Sequence, residues 1–236
     1  MPVRLAVNLQ ADNWDHQSVD DEKYFPAMSC QPDARTQLCH YRPMADTAQP
    51  DLKDELHARL QRARAAVLSK LEGLSEYDLR RPMTPTGTSL LGLVKHLASV
   101  EYAYFGDSFD RPPPESLSWV EDGSNWQDAD MWATADQSSE YLIGLYQRAC
   151  AHADETITSR GLEAPATVAH WRPAKRNTTL GLLLVHMLAE TAGHSGHADI
   201  IRELIDGRAG LDSDHKTAAE WAQYVAQIQS AADAFG

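Results

Sequence analysis

The chain has 236 residues, 43% of them hydrophobic, and sets 21 Lys and Arg against 34 Asp and Glu, a formal net charge of −13 at pH 7. That length suits one domain with a packed core and room for an appendage. A field of this sign repels phosphate backbones and no local cluster of Lys and Arg reverses it, which argues against nucleic acid as a partner; no run of about 18 apolar residues is available to span a bilayer.

The first apolar stretch, within MPVRLAVNLQADNWDHQ, is too short for a secretory signal and turns acidic at once, so the expected location is the cytoplasm. Cys30, Cys39 and Cys150 are irregularly spaced, which argues against a disulfide framework. Residues 1–49 scatter Asp, Pro and Gln without a sustained period and are expected to form an irregular, poorly ordered N-terminal extension to a helical domain over 50–236. The spacing of Cys30, Cys39 and His40 matches no closed four-ligand zinc site. A natural start at Met44 is a further expectation; mass spectrometry of the native N-terminus tests it, and a peptide containing Tyr24 or Cys39 would overturn it.

Helical signals begin at Pro50. Leu52, Leu56, Leu60, Ala63, Val67 and Leu71 recur every three or four positions, the pattern of an amphipathic helix ended by Gly73. After a short piece at Ser75-Glu-Tyr-Asp-Leu, Pro82 and Pro85-Thr-Gly break the chain, and Ser89 can cap a second helix over roughly 89–105. Residues 106–133, with Pro112-Pro-Pro and Trp119, Trp126 and Trp132 among acids, form a long excursion. Two readings of it stand: a wall or lid over a site, or tryptophans that plug the bundle ends. Thr134-x-x-Gln137 has the form of a capping box opening a third helix with Leu142, Leu145, Ala149 and Ile157 inward. A fourth helix is expected over 178–206, stopped by Gly207, and a fifth from Thr217-x-x-Glu220 with Trp221, Val225 and Ile228. No segment alternates as a strand, so the fold is all-α: a four-helix bundle with an additional C-terminal helix.

The fourth helix carries the chemistry. With His186 at zero on a helical wheel, Leu183 and Ile201 fall near 60°, Met187 and Ile205 near 100° and Leu204 near 0°, an apolar stripe turned to the core. Glu190 falls near 40°, His194 near 80° and His197 near 20°, inside that stripe. An unpaired buried carboxylate costs several kcal/mol, on the order of 3–5, and a cation offsets that directly. Glu190 and His194 stand one turn apart, so their heads can converge on one ion. On the second helix His96 sits at the edge of the stripe of Leu93, Leu97, Val100 and Tyr104, placed to face them. Two imidazoles and one carboxylate are the open ligand set of a catalytic or ligand-binding divalent metal; the alternative is a hydrogen-bonded network without metal.

Other readings are blander. His186 reads as a core histidine, and His197 stays open as a support to a ligand, a substrate contact or a fourth ligand. Asp199 points away from His194 and His197 on the wheel; His57 and His152 read as solvated, and Cys150 as packing. There is no phosphate-binding glycine loop, serine elbow or His-Glu-x-x-His motif.

Thr88-Ser-Leu-Leu-Gly-Leu-Val-Lys-His-Leu-Ala-Ser-Val-Glu and the run from Leu184 to Gly207, which joins Glu190-x-x-x-His194 to His197-Ala-Asp, resemble the second and metal-binding helices of the DinB-like metalloprotein superfamily, in its DUF664 or mini-circle branch. The likeness runs from about Asp51 to the C-terminus. It implies an up-down-down-up bundle, commonly a homodimer. The usual triad of that superfamily is three histidines; the variant with Glu in second place is similar to the helical domain of mycothiol-dependent maleylpyruvate isomerases, and by position the ligands it implies are His96, Glu190 and His194, with zinc as the ion. Those isomerases carry a second α/β domain not seen in this sequence, so a reaction other than maleylpyruvate isomerisation is expected. The function implied is a divalent-metal-dependent transferase or isomerase that uses a small-molecule thiol of the mycothiol type on electrophilic substrates. The alternative is a non-catalytic, stress-related metal- or ligand-binding protein.

Overall fold

The structure is a computed structural model and describes residues 51–207 and 216–236. The N-terminal extension, with Cys30, Cys39, His40 and Met44, lies outside the described residues. Four long helices make the bundle: α1 (Leu52–Ser69), α3 (Leu90–Phe105), α5 (Ser139–Ser159) and α6 (Leu180–Asp206). A short α2 (Glu76–Arg80) joins the first two, and α4 (Ser118–Glu121) lies in the long excursion before α5. After α5 a short hairpin pairs β1 (Pro165–Thr167) antiparallel with β2 (Asn177–Thr179), Ala166 opposite Thr178, and α7 (Ala218–Asp233) follows α6. Among the described residues no helix is long and apolar enough to cross a membrane.

Helix starts follow side-chain caps that satisfy the first free amides. Asp51 caps α1, Ser89 accepts from Gly92 N to open α3, Ser138 from Tyr141 N to open α5, and Thr179 from Leu182 N to open α6. Gly207, at φ 78°, ends α6 in the left-handed region that glycine enters freely.

Contacts fix the helix directions. Lys53 Nζ donates to Arg160 O at 2.9 Å while His57 meets Asp154, so α1 and α5 are antiparallel. Thr156 Oγ1 donates to Phe105 O at 2.6 Å and His152 lies against Tyr102, so α5 and α3 are parallel. His96 meets His194 and Tyr104 meets His186, so α3 and α6 are antiparallel. The order is up-down-down-up, as the resemblance implies. Leu60, Val67, Leu91, Val94, Leu97, Leu142, Leu145, Leu183, Leu184 and Met187 are fully buried between these helices.

One charged group crosses this apolar core. Arg64 of α1 donates from Nε and Nη2 to both oxygens of the fully buried Glu101 of α3, each at 2.6 Å, and from Nη1 to Asp154 of α5 at 2.6 Å. His57 completes it at 2.8 Å from Asp154, with its side chain only 14% exposed. The sequence reading of His57 as solvated is therefore incorrect: its own helix neighbours are polar, but the partner comes from α5. His152 is likewise engaged, its Nε2 donating to Arg111 O at 3.1 Å.

Three further expectations are corrected. Thr134 does not cap α5; Gln137 Oε1 instead accepts from Thr134 N in a turn, and the cap is Ser138. The hairpin of β1 and β2 is too short to show alternation. Leu204, placed in the core stripe by the wheel, is 59% exposed, and α7 buries none of its residues.

Candidate metal centre

The antiparallel pairing of α3 and α6 carries His96 to Glu190 and His194. One ligand atom from each lies within 4.8 Å of the other two. Glu190 Oε1 is 3.3 Å from His96 Nε2 and 3.1 Å from His194 Nε2. The side chains keep 16–23% of their exposure, so the cluster is reachable from solvent yet partly desolvated.

The other ring nitrogens are held from outside. His96 Nδ1 is 2.7 Å from Oδ2 of the buried Asp130, and His194 Nδ1 is 3.4 Å from His197 Nδ1, one of that pair donating to the other. Both Nε2 atoms therefore turn toward Glu190, the arrangement in which an outer partner fixes ring orientation for an ion. Hydrogen bonds from His194 and His96 hold the Glu190 carboxyl well below the usual carboxylate range. Burial opposes charge on His96, but Asp130 and Glu190 on its two nitrogens outweigh that and raise its pKa to about 9.

Asp130 reaches His96 because the excursion is fastened to α3. Lys95, one residue before His96, donates to Ala129 O at 2.6 Å and Trp132 O at 3.0 Å, with its ammonium 4.2 Å from the centre of the Trp119 ring. Gly92, one turn earlier, receives the carbonyl of Met131: a Cβ there would lie 1.9 Å from that oxygen. The two readings of the tryptophans divide. Trp119 is buried and donates to Ser99 Oγ at 2.9 Å, whereas Trp126 and Trp132 are 71% and 53% exposed. Trp126 meets His170 of the hairpin loop, ring centres 5.9 Å apart, so the two loops touch.

His186 stands apart from the cluster, packed edge-on against Tyr104 and Trp171, and burial pushes its pKa down. His197 is exposed and touches the cluster through His194 alone among its hydrogen bonds. Asp199 pairs with Lys70 Nζ at 2.5 Å, away from both histidines. Cys150 is half-buried beside the Arg64 network, and burial pushes its thiol up, consistent with packing. Asp130 had no signature in the sequence: it is one acid of several in an aperiodic stretch, and only the tertiary contact singles it out.

The family profile described as Mycothiol-S-transferase matches residues 55–207. The chain belongs to the mycothiol-S-transferase family. That stretch holds all four bundle helices apart from the first turn of α1, and both halves of the cluster. No curated protein matches the chain. Among solved structures, a conserved protein from Enterococcus faecalis is similar in fold, with a TM-score of 0.51 at 16% identity over 67% of this chain and 99% of that one.

The donor chemistry fits a zinc-like ion. Two imidazole nitrogens and one carboxylate oxygen would supply three ligands to such an ion and leave room for an exogenous one.

Proposed function

We propose that the protein is a divalent-metal-dependent S-transferase that joins a mycothiol-type thiol to a small electrophile in the cytoplasm, acting as a homodimer, with His96, Glu190 and His194 holding the ion. The observation that carries this reading is the convergence of Glu190 with both Nε2 atoms, set in a chain of the mycothiol-S-transferase family. Zinc is the proposed ion; when bound, it supplies a Lewis-acid position that lowers the pKa of a thiol.

The protein's own groups do the rest. Asp130 and His197 fix the two imidazoles, so little reorganisation accompanies binding. Trp126 and Trp132 lie exposed on the excursion, beside the segment that carries Asp130, and offer apolar surface for an uncharged electrophile. In the reaction the thiol sulfur bonds to the electrophilic carbon. With an alkyl halide the carbon–halogen bond breaks and the thiol proton leaves with the halide, whereas with an epoxide or an enone no group leaves and the proton passes to the ring-opened oxygen or to the enolate.

The test uses protein purified without an affinity tag. Elemental analysis is expected to find about one zinc per chain, with none in His194→Ala. Incubation with zinc, mycothiol and a panel of alkyl halides, epoxides and enones is expected to consume thiol faster than the uncatalysed reaction for at least one of them. Full metal content in His194→Ala would remove the ligand assignment. No acceleration with any electrophile, together with a cobalt-substituted spectrum that thiol leaves unchanged, would favour the non-catalytic binding protein.

A further inference from the structure

Along its whole length, α6 leaves an apolar stripe in solvent. Leu182, Val185, Ile200 and Leu204 are 54–62% exposed. Between them, on the same face by helical spacing, lie the exposed Ala189, Ala192, Gly193 and Gly196. Exposed aliphatics singly need no account, but a continuous stripe on one helix does.

The order of residues along the stripe is symmetric. Counting outward from the bond between Ala192 and Gly193, Ala189 stands as far on one side as Gly196 on the other, and Val185 as far as Ile200. Leu182 and Leu204 close the two ends, within one residue of the same symmetry. A sequence that reads small at the centre and large at both ends, in either direction, complements itself when one copy lies antiparallel to another. That is the requirement of a two-fold interface, where the same patch serves both subunits.

The glycines give an independent reason. Within α6, Gly193 and Gly196 lie mid-helix, and an added Cβ at either would meet nothing within 4 Å. Each costs about 1 kcal/mol of helix stability relative to alanine. Among the described residues nothing lies close enough to use the missing side chains. A second helix passing closely over them would, because glycine and alanine let two backbones approach to about 8 Å.

We infer that α6 is a self-pairing surface: two copies of the chain dock antiparallel along Leu182–Leu204, crossing at Ala192 and Gly193. This rests on the homodimer reading above and names its surface and register. The stretch from Leu182 to Leu204 rises about 33 Å, and a stripe some 10 Å wide gives about 330 Å² per copy, hence about 660 Å² in all. That is below the roughly 1,200 Å² of stable specific complexes and in the range of weak, transient ones, so the expected dimer is reversible and dilution dissociates it. Glu190, His194 and His197 flank the stripe, so pairing leaves each metal centre within its own protomer but beside the seam.

Sedimentation velocity on the full chain over a concentration series is expected to show a reversible species of about twice 26.2 kDa. Val185→Glu and Gly196→Leu are each expected to give monomer, with helical content by circular dichroism kept or, for Gly196→Leu, raised. Register is tested by cysteine cross-linking after Cys30 and Cys39 are changed to Ser and Cys150 to Ala. The pair Val185→Cys with Ile200→Cys, and Gly193→Cys alone, are expected to cross-link on mild oxidation. Val185→Cys alone is not, since its copy lies about 22 Å away along the helix. A dimer that survives both surface variants, or one in which Val185→Cys alone cross-links efficiently, overturns this surface while leaving a homodimer standing. A monomer at every concentration overturns both.

Discussion

Asp130 sets what His96 can do. Its carboxylate faces Nδ1, so the ring presents Nε2 to Glu190 and to any ion held there. Partners of this kind, when lost, cost 10–100-fold in metal affinity by the usual order of magnitude. Asp130→Asn is therefore expected to weaken zinc binding by about tenfold or more in a competition titration against a chromophoric chelator, with the melting temperature of the metal-free protein little changed; an unaltered affinity would assign Asp130 to loop packing instead. The protonation of His96 has its own consequence. With a metal-free pKa raised to about 9, the imidazole carries a proton at neutral pH that an incoming ion must displace. Apparent affinity is then expected to rise by about tenfold per pH unit from neutrality and to level off above about pH 9, read as a zinc titration series against pH, with one proton released from His96 below that pH. A flat profile would mean that Asp130 and Glu190 do not hold the proton there.

At the scale of elements, α3 is the busiest helix of the fold, and its sequence shows why only part of its role was legible. Leu93, Leu97, Val100 and His96 could be read from spacing, because a stripe of period 3.6 needs no knowledge of the partner helix. Gly92, Lys95 and Glu101 could not, because each answers to a group far away in sequence: Met131, Ala129 with Trp132, and Arg64. Two predictions measure those contacts. Gly92→Ala puts a Cβ into the Met131 carbonyl, so the 129–132 segment must shift and take Asp130 from His96. It is expected to cost about 1–3 kcal/mol in urea unfolding and to weaken zinc binding as Asp130→Asn does. Arg64→Met leaves Glu101, which is 0% exposed, without its bidentate partner. A broken buried pair of this kind costs about 3–5 kcal/mol, and the double variant Arg64→Met with Glu101→Leu is expected to recover most of it, because no uncompensated carboxylate then remains in the core. If the double variant is no better than the single one, the network does more than neutralise Glu101.

Over the whole molecule the same division holds. Four amphipathic helices with caps and stops announce a bundle, and a Glu and two His on an apolar face announce the cluster that the fold assembles. The wheel failed at Leu204, which it set in the core and which the structure exposes, because α6 has two apolar faces and a period cannot say which one packs inward. The inward face joins α3 and α6 through the candidate site, so the proposed ion would have a structural role as well as a chemical one. A group that binds the folded protein and not the unfolded chain stabilises it by RT ln(1 + [L]/Kd), about 2.7 kcal/mol at a hundredfold excess over Kd. For a domain of this size that corresponds to roughly 5–10 °C in Tm. Stripping with EDTA is therefore expected to lower Tm by that amount and added zinc to restore it, followed by differential scanning fluorimetry at fixed protein concentration. His194→Ala, lacking one of the three groups, is expected to melt near the stripped protein and to ignore EDTA. An ion bound elsewhere would make the variant respond as the parent does, because the stabilisation would then owe nothing to the pairing of His96 with Glu190 and His194 across the two helices.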